Sequence, residues 1–307
     1  MVMTVALITG ASKGIGLATT RRLAEENCTV YATARHPEQA AQLLELAEKY
    51  KNVSVIQLDV TDPEEVVFEK IKSLGPIDIL INNAGVGLYG PVETATEDQE
   101  KEVFAVNYHG ALKVTRAVLP SMRERNEGKI ITLSSIAGLL TSGTSPIYGA
   151  SKAAINSVMR GLRADMKAAK LNIKVCTVAP GPVATEFADS TYVGERFSAD
   201  ETPYTSMESG LEKWRQGINQ GCSPEGTVNT ILKVIAEEDP SFWNCTESRV
   251  REQVERVYHD GSGESYIVVP FTRPPSPILS FGGTIFPKPI ADASQITSST
   301  SMENGST

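Results

Sequence analysis

Residues 5–16 read VALITGASKGIG, a short apolar run that meets Gly10, Gly14 and Gly16 and passes straight into a helical pattern. A strand, a glycine turn and a helix in that order form the opening half of a βαβ unit, and the chain repeats the alternation outward from it. Strand-like runs fall at Val5–Thr9, Thr29–Ala34, Val53–Leu58, Ile77–Ile81, Lys129–Leu133 and Ile173–Val178. Between them lie helical patterns at Ile15–Glu26, Pro37–Tyr50, Pro63–Ser73, Glu97–Glu124 and Tyr148–Lys170, with Asp62 before Pro63 and the Pro37 start as plausible caps. Strands separated by helices pair in parallel, and their near-continuous apolar character fits a sheet covered on both faces.

The expected fold class is therefore α/β, a Rossmann-type doubly wound parallel sheet in a single domain with a helical substrate-loop extension. After residue 180 the alternation stops, and Pro182–Gly221 is rich in Thr, Ser, Glu, Gly and Tyr without clean periodicity. A long segment of this kind in a compact enzyme reads as a lid or substrate loop. Helical patterns return at Ser223–Glu237 and Glu247–Tyr258, followed by an apolar run at Tyr266–Pro270. Residues 1–272 are read as one Rossmann-type domain with a substrate loop at about 182–222, and 273–307, rich in Pro, Ser and Thr, as a disordered tail.

Composition narrows the class. With 41% hydrophobic and 21% charged residues over 307 positions, the chain has the balance of a soluble globular protein. A net charge of −8 offers no basic footprint for a nucleic acid partner. Cys28, Cys176, Cys222 and Cys245 lack a C-x-x-C spacing, so neither a metal site nor a disulfide framework is expected, and a reducing, cytoplasmic compartment fits. No apolar stretch reaches the roughly 18 residues of a transmembrane span, which leaves peripheral membrane contact open.

The glycine turn is suited to a dinucleotide. Glycines allow the backbone to approach a pyrophosphate, and the helix that follows offers free N–H groups and its positive dipole end. Gly10, Ser12, Lys13, Gly14, Ile15 and Gly16 are the candidate contacts. An acidic residue ending the second strand would bind the ribose 2′-hydroxyl of NAD. Here that strand ends Ala34-Arg35, and Arg35 with Lys13 could converge on a 2′-phosphate, so NADP(H) is the expected cofactor.

Tyr148 and Lys152 are four residues apart in a helical pattern and share one face. A phenol with a reference pKa near 10 needs a neighbouring cation to become its phenolate near neutral pH, and Lys152 would be that cation. Read with the rest of the chain, the pair acquires a context. TGASKGIG at 9–16, Asp59-Val60, NNAG at 82–85, Asn107, Ser134-Ser135, YGASK at 148–152 and Pro180-Gly181 together resemble the short-chain dehydrogenase/reductase family from residue 3 to about 190.

The resemblance implies roles residue by residue. Tyr148 is the general acid in carbonyl reduction and the general base in alcohol oxidation, Ser135 bonds the substrate oxygen, Lys152 depresses the tyrosine pKa and binds the nicotinamide ribose, and Asn107 holds a water in the proton relay. Ser134 is not chosen. Asp59 and Val60 lie by the adenine, Asn83, Ala84 and Gly85 pass beside the nucleotide, and Pro180, Gly181, Val183 and Thr185 embrace the carboxamide. Asn82 is read as structural. The resemblance further implies a homodimer or homotetramer built on the two long helices.

VYATAR, NNAGVGLYGPVE, GPVATEF and HDGSGESYI look similar to the subgroup holding 17β-hydroxysteroid dehydrogenase type 1 and the photoreceptor retinol dehydrogenases. That implies a small-molecule substrate with a bulky apolar body: a steroid, a retinoid or another lipid. Phe187, Tyr192, Val193, Phe197, Tyr204, Met207, Leu211 and Trp214 are candidate wall residues, or equally residues that pack the loop onto the sheet. Two alternatives stay open: a small-ketone carbonyl reductase, and a catalytically weak nucleotide-binding scaffold that acts through protein partners.

Overall fold

The computed structural model describes residues 4–141, 143–196 and 207–259. In chain order its elements are β1 (Val5–Ile8), α1 (Gly14–Glu25), β2 (Thr29–Ala34), α2 (Ala41–Lys49), β3 (Val53–Gln57), α3 (Glu64–Lys72), β4 (Ile79–Asn82) and β5 (Leu88–Tyr89). There follow α4 (Glu97–Phe104), a π-helical segment (Ala105–Gly110), α5 (Ala111–Arg125), β6 (Gly128–Leu133), α6 (Pro146–Ala168) and β7 (Ile173–Ala179). The last are β8 (Tyr192–Val193), α7 (Met207–Asn219), α8 (Pro224–Ala236), β9 (Trp243–Cys245) and α9 (Ser248–His259). Tyr266–Pro270, the 273–307 tail, Phe197 and Tyr204 lie outside the described residues.

The main sheet has seven parallel strands in the order β3-β2-β1-β4-β6-β7-β9. Successive strand residues point to opposite faces, and both faces are covered. Ile8, Ile131 and Val178 pack with Leu17 and Leu23 of α1, Leu43 of α2 and Ile231 of α8. Leu7, Ile130 and Val175 pack with Val67 of α3, Val114 and Val118 of α5 and Ile155 and Met159 of α6. The strand order turns back between β1 and β4, and a doubly wound sheet opens its ligand crevice at that point, beyond the strands' C-terminal ends.

Several sequence expectations need correction. The pattern expected to run unbroken over Glu97–Glu124 is two α-helices joined by the π segment. The helix after the third strand has Pro63 as its N-cap with no side-chain bond, and the Asp62 carboxylate instead lies 3.5 Å from Lys70 Nζ. The region expected to lack periodicity contains β8 and α7. The edge strand β9 was not anticipated: it has three half-buried residues and no apolar run. A second, two-stranded sheet joins β5 to β8 and ties the descending part of the substrate loop to the body.

Candidate active site

At the switch point lies a cleft of about 590 Å³, within the roughly 300–1,000 Å³ usual for ligand sites. One end is the glycine turn. Gly10 and Gly14 have φ of +64° and +57°, a backbone open to glycine at little cost, and a Cβ on Gly10 would stand 2.8 Å from Ala84 Cα. Gly16 is buried against Asn83 Nδ2 and the Gly10 carbonyl, each 2.5 Å from where its Cβ would be. It closes the turn and does not line the cleft, unlike Gly10, Ser12, Lys13, Gly14 and Ile15. The first turn of α1 carries no acidic residue and no side-chain cap, so its N–H groups face the cleft end free to meet an anion.

The NNAG stretch braces this turn. Asn83 Nδ2 donates to the Thr9 and Gly10 carbonyls at 2.9 and 2.8 Å, while Thr9 Oγ1 accepts from the Asn83 and Ala84 amides at 3.0 Å each. Asn82 is buried and donates to Thr115 and Thr132, a structural position as expected. Gly85 is a narrow point: a Cβ there would be 3.2 Å from Asn107 Oδ1 and 3.3 Å from Lys152 Nζ.

Arg35, Asp59 and Val60 also line the cleft, with Lys13 of the glycine turn. Asp59 Oδ1 accepts from the Thr61 amide and hydroxyl at 2.9 and 2.7 Å. The Arg35 side chain is 61% exposed and its Nε stands 4.0 Å from Asp59 Oδ2, an open pairing that leaves the guanidinium accessible. The cradle of glycines and free N–H groups, with two exposed cations beside it, fits a dinucleotide.

At the other end, α6 starts at Pro146 and places Tyr148 and Lys152 in its first turns. Lys152 is buried and donates to the Leu133 carbonyl at 2.9 Å, with Nζ 5.9 Å from the Tyr148 ring centroid. Ser135 is hydrogen-bonded to the Tyr148 hydroxyl, and its Oγ also accepts from the Ala137 amide at 3.1 Å. Burial pushes the Tyr148 pKa up to about 12 against the opposing pull of the Ser135 bond, and burial lowers Lys152 to about 8. The expected depression of the tyrosine by Lys152 is not what the structure gives. Lys152 is buried and Tyr148 is half-buried on the cleft wall, and the loss of solvent around each disfavours ammonium and phenolate alike.

Asn107 sits in the π segment, a backbone irregularity frequent at functional sites. It is buried behind Gly85 and does not line the cleft. Its Oδ1 accepts from the Val86 amide at 2.9 Å, and its Nδ2 donates to the Val86 carbonyl at 2.9 Å and to Ser151 Oγ at 3.0 Å. The amide thus fixes the loop after β4 to α6 beside Tyr148 and Lys152.

Pro180, Gly181, Val183 and Thr185 form the wall facing the glycine turn. Ile136 N–H donates to the Pro180 carbonyl at 2.9 Å, so this wall is locked to the segment that carries Ser135. Of the proposed wall residues, Phe187 and Trp214 line the cleft, with the Phe187 ring 5.7 Å from that of Tyr148. Tyr192 and Val193 form β8 instead. Missed were Val86, Leu140, Ser145, Glu186, Ser190 and Ile218. Ile218 had a signal: Met207, Leu211, Trp214 and Ile218 recur at helical spacing inside a stretch read as aperiodic. Among the described residues no group of metal-ligating side chains gathers, and no helix is long and apolar enough to cross a membrane.

A family model described as short chain dehydrogenase matches residues 4–195. The 3-ketodihydrosphingosine reductase of Bacteroides thetaiotaomicron is 34% identical over 239 residues, 77% of this chain and 85% of its own length. Retinol dehydrogenase 8 of Bos taurus is 34% identical over 277 residues, covering 85% and 87%. The 17-beta-hydroxysteroid dehydrogenase type 1 of Homo sapiens is 28% identical over 282 residues, covering 87% and 84%. Among solved structures, a short chain dehydrogenase/reductase from Burkholderia phymatum in complex with NAD matches with a TM-score of 0.76 at 24% identity, over 88% of this chain and 98% of that one. The closed form of a serine dehydrogenase complexed with NADP+ matches with a TM-score of 0.67 at 29% identity, over 79% and 94%.

Proposed function

The chain belongs to the short-chain dehydrogenase family, and from that membership we propose that it is an NADP(H)-dependent oxidoreductase interconverting a carbonyl and a primary or secondary alcohol on a bulky apolar substrate, a steroid, a retinoid or another lipid. The observation that carries the reading is one cleft with the glycine turn and free α1 N-terminus at one end and Ser135, Tyr148 and Lys152 at the other. When bound, the nicotinamide supplies or accepts the hydride.

The remaining work falls to the chain's own side chains. In reduction the Tyr148 hydroxyl gives its proton to the carbonyl oxygen as the carbonyl carbon takes the hydride, and Ser135 Oγ hydrogen-bonds that oxygen as its charge develops. A phenol is protonated at neutral pH, the state that donation requires, and burial makes that proton harder to give, a cost the Ser135 bond partly offsets. Lys152 would hold the nucleotide ribose and would stabilise the phenolate left behind. Asn107, through Val86 and Ser151, holds both walls in register and is the residue suited to retain a relay water.

Lys13 and Arg35 support NADP(H), because both are exposed cations lining the cleft and no acidic residue ends β2. Phe187, Leu140, Trp214 and Ile218 support an apolar substrate, in keeping with retinol dehydrogenase 8 and 17-beta-hydroxysteroid dehydrogenase type 1 among the relatives. The enzyme acts as a homodimer or homotetramer in the cytoplasm. The test is steady-state kinetics with NADPH and NADH against estrone, retinal and short ketones, with Tyr148→Phe alongside. Expected are a preference for NADPH, turnover of the lipid carbonyls and a fall of about 10²-fold or more in the variant. Turnover unchanged in Tyr148→Phe would overturn the enzyme reading, equal efficiency with NADH the cofactor, and activity confined to short ketones the lipid substrate.

A further inference from the structure

Glu247 lies on the connection between β9 and α9, a region outside every motif of the sequence. Its carboxylate stands behind the Pro180–Thr185 wall: a Cβ on Gly181 would be 2.7 Å from Glu247 Oε1, and Gly181 itself lines the cleft. The carboxylate therefore packs against a residue of the cleft wall without lining the cleft itself. The Cys222 thiol donates to it, and residue 222 also grips the wall, its amide donating to the Pro182 carbonyl at 3.0 Å and its carbonyl accepting from the Ala184 amide at 2.9 Å. None of the ion pairs among the described residues involves Glu247. Its charge is fixed in place and is not neutralised by a cation there.

We propose that Glu247 sets the relative affinity of the cleft for oxidised and reduced nucleotide. The inference rests on the nucleotide-binding reading above, in which the nicotinamide lies against Gly181. The oxidised ring carries a positive charge and the reduced ring is neutral, so a fixed carboxylate behind the wall favours the oxidised form alone. Lys152, on the opposite wall, acts with the other sign, and Glu247 offsets it. Glu186 lines the same cleft but is exposed to solvent, which screens it. Glu247 is half-buried beside the exposed Cys222, so solvent screens it in part, and the effect is on the order of fivefold in affinity. Favouring the oxidised product form draws the bound equilibrium toward carbonyl reduction, in which the hydride leaves the nucleotide for the carbonyl carbon and the Tyr148 proton goes to its oxygen.

The test is equilibrium binding of NADP+ and NADPH, each titrated by calorimetry, to the full chain and to Glu247→Gln, which keeps the size of the side chain and an oxygen to accept the Cys222 thiol. The dissociation constant of NADP+ is expected to rise about fivefold while that of NADPH changes less than about twofold. Glu247→Asp, which keeps the charge, should retain most of the wild-type ratio, and Glu247→Ser supplies the charge deletion if the Gln variant does not fold. An unchanged ratio in the charge-deleted chain, or an equal rise for both nucleotides, would overturn the inference and leave the nucleotide-binding reading standing. Binding of neither nucleotide by the wild type would instead overturn that reading, and this inference with it.

Discussion

Replacing Lys152 by methionine separates what the lysine does for stability from what it does for chemistry. Lys152 is 5% exposed, its ammonium has a hydrogen bond to the Leu133 carbonyl at 2.9 Å, and burial lowers its pKa from 10.5 to about 8. At about 1.36 kcal/mol per pH unit, that displacement means the folded chain holds the ammonium at a disadvantage of ~3 kcal/mol relative to the unfolded chain. Below pH 8 both states are protonated and the disadvantage is complete. Between pH 8 and 10.5 only the unfolded chain keeps the proton, so stability rises with pH, and by pH 10 the disadvantage has fallen to ~1 kcal/mol. Methionine removes it but also removes the bond to Leu133, worth ~1–2 kcal/mol with its carbonyl left buried. Lys152→Met is thus expected to be more stable than wild type by ~1–2 kcal/mol at pH 7. At pH 10 it should be no more stable, and it should have lost turnover throughout. Urea unfolding of both proteins at pH 7, 8.5 and 10 reads the difference directly. A variant less stable than wild type at pH 7, or a difference that does not change with pH, would refute the burial argument.

Gly10→Ala forces a side chain into a φ of +64° and against Ala84, so it should cost ~1–3 kcal/mol in thermal or urea unfolding and weaken NADP+ binding measured by titration more than tenfold. Asn107→Ala removes three internal hydrogen bonds and leaves the Val86 amide and carbonyl unpaired; a loss of ~2–4 kcal/mol in unfolding free energy and a fall in kcat larger than any rise in KM are expected. Arg35→Asp places an acceptor at the end of β2 and removes the exposed cation, so the ratio of kcat/KM for NADPH over NADH should fall by about 10²-fold, and an unchanged ratio would exclude Arg35 as the determinant.

What could be read from the chain divides by how locally each feature is encoded. The six strand runs and the helices around them were legible because a parallel sheet buried on both faces demands continuous apolar segments, and β2 is Thr29–Ala34 in both readings. The glycine turn and YGASK were legible because their groups must lie a few residues apart on one turn or one helix face. The π segment was not: AVNYHG contains no proline and has the polarity of an ordinary helix, and the extra residue per turn follows from seating Asn107 against Val86 and from Gly110 closing on Val60. The edge strand β9 depends on pairing with Thr177–Ala179 rather than on its own residues. The apolar chamber draws Leu140, Phe187 and Ile218 from three separate segments, so no single window of sequence contains it.

The Tyr148–Lys152 pair shows where helical spacing stops being informative. Four-residue spacing puts both side chains on one face, from which a lowered tyrosine pKa was expected, yet spacing carries no information about water. In the folded chain Lys152 turns to Leu133, its Nζ stays 5.9 Å from the phenol ring centroid, and burial pushes Tyr148 up to about 12. A raised pKa makes the phenol a weaker acid and its phenolate a stronger base, so burial by itself tells against reduction, and the Ser135 bond offsets part of it. The proposed action of the Glu247 carboxylate beside Gly181 is in the opposite direction, since it favours the oxidised nucleotide that reduction leaves behind. The direction of the reaction is thus set by a balance between a motif residue, whose burial resists giving up its proton, and a carboxylate outside every motif, and spacing alone encodes neither.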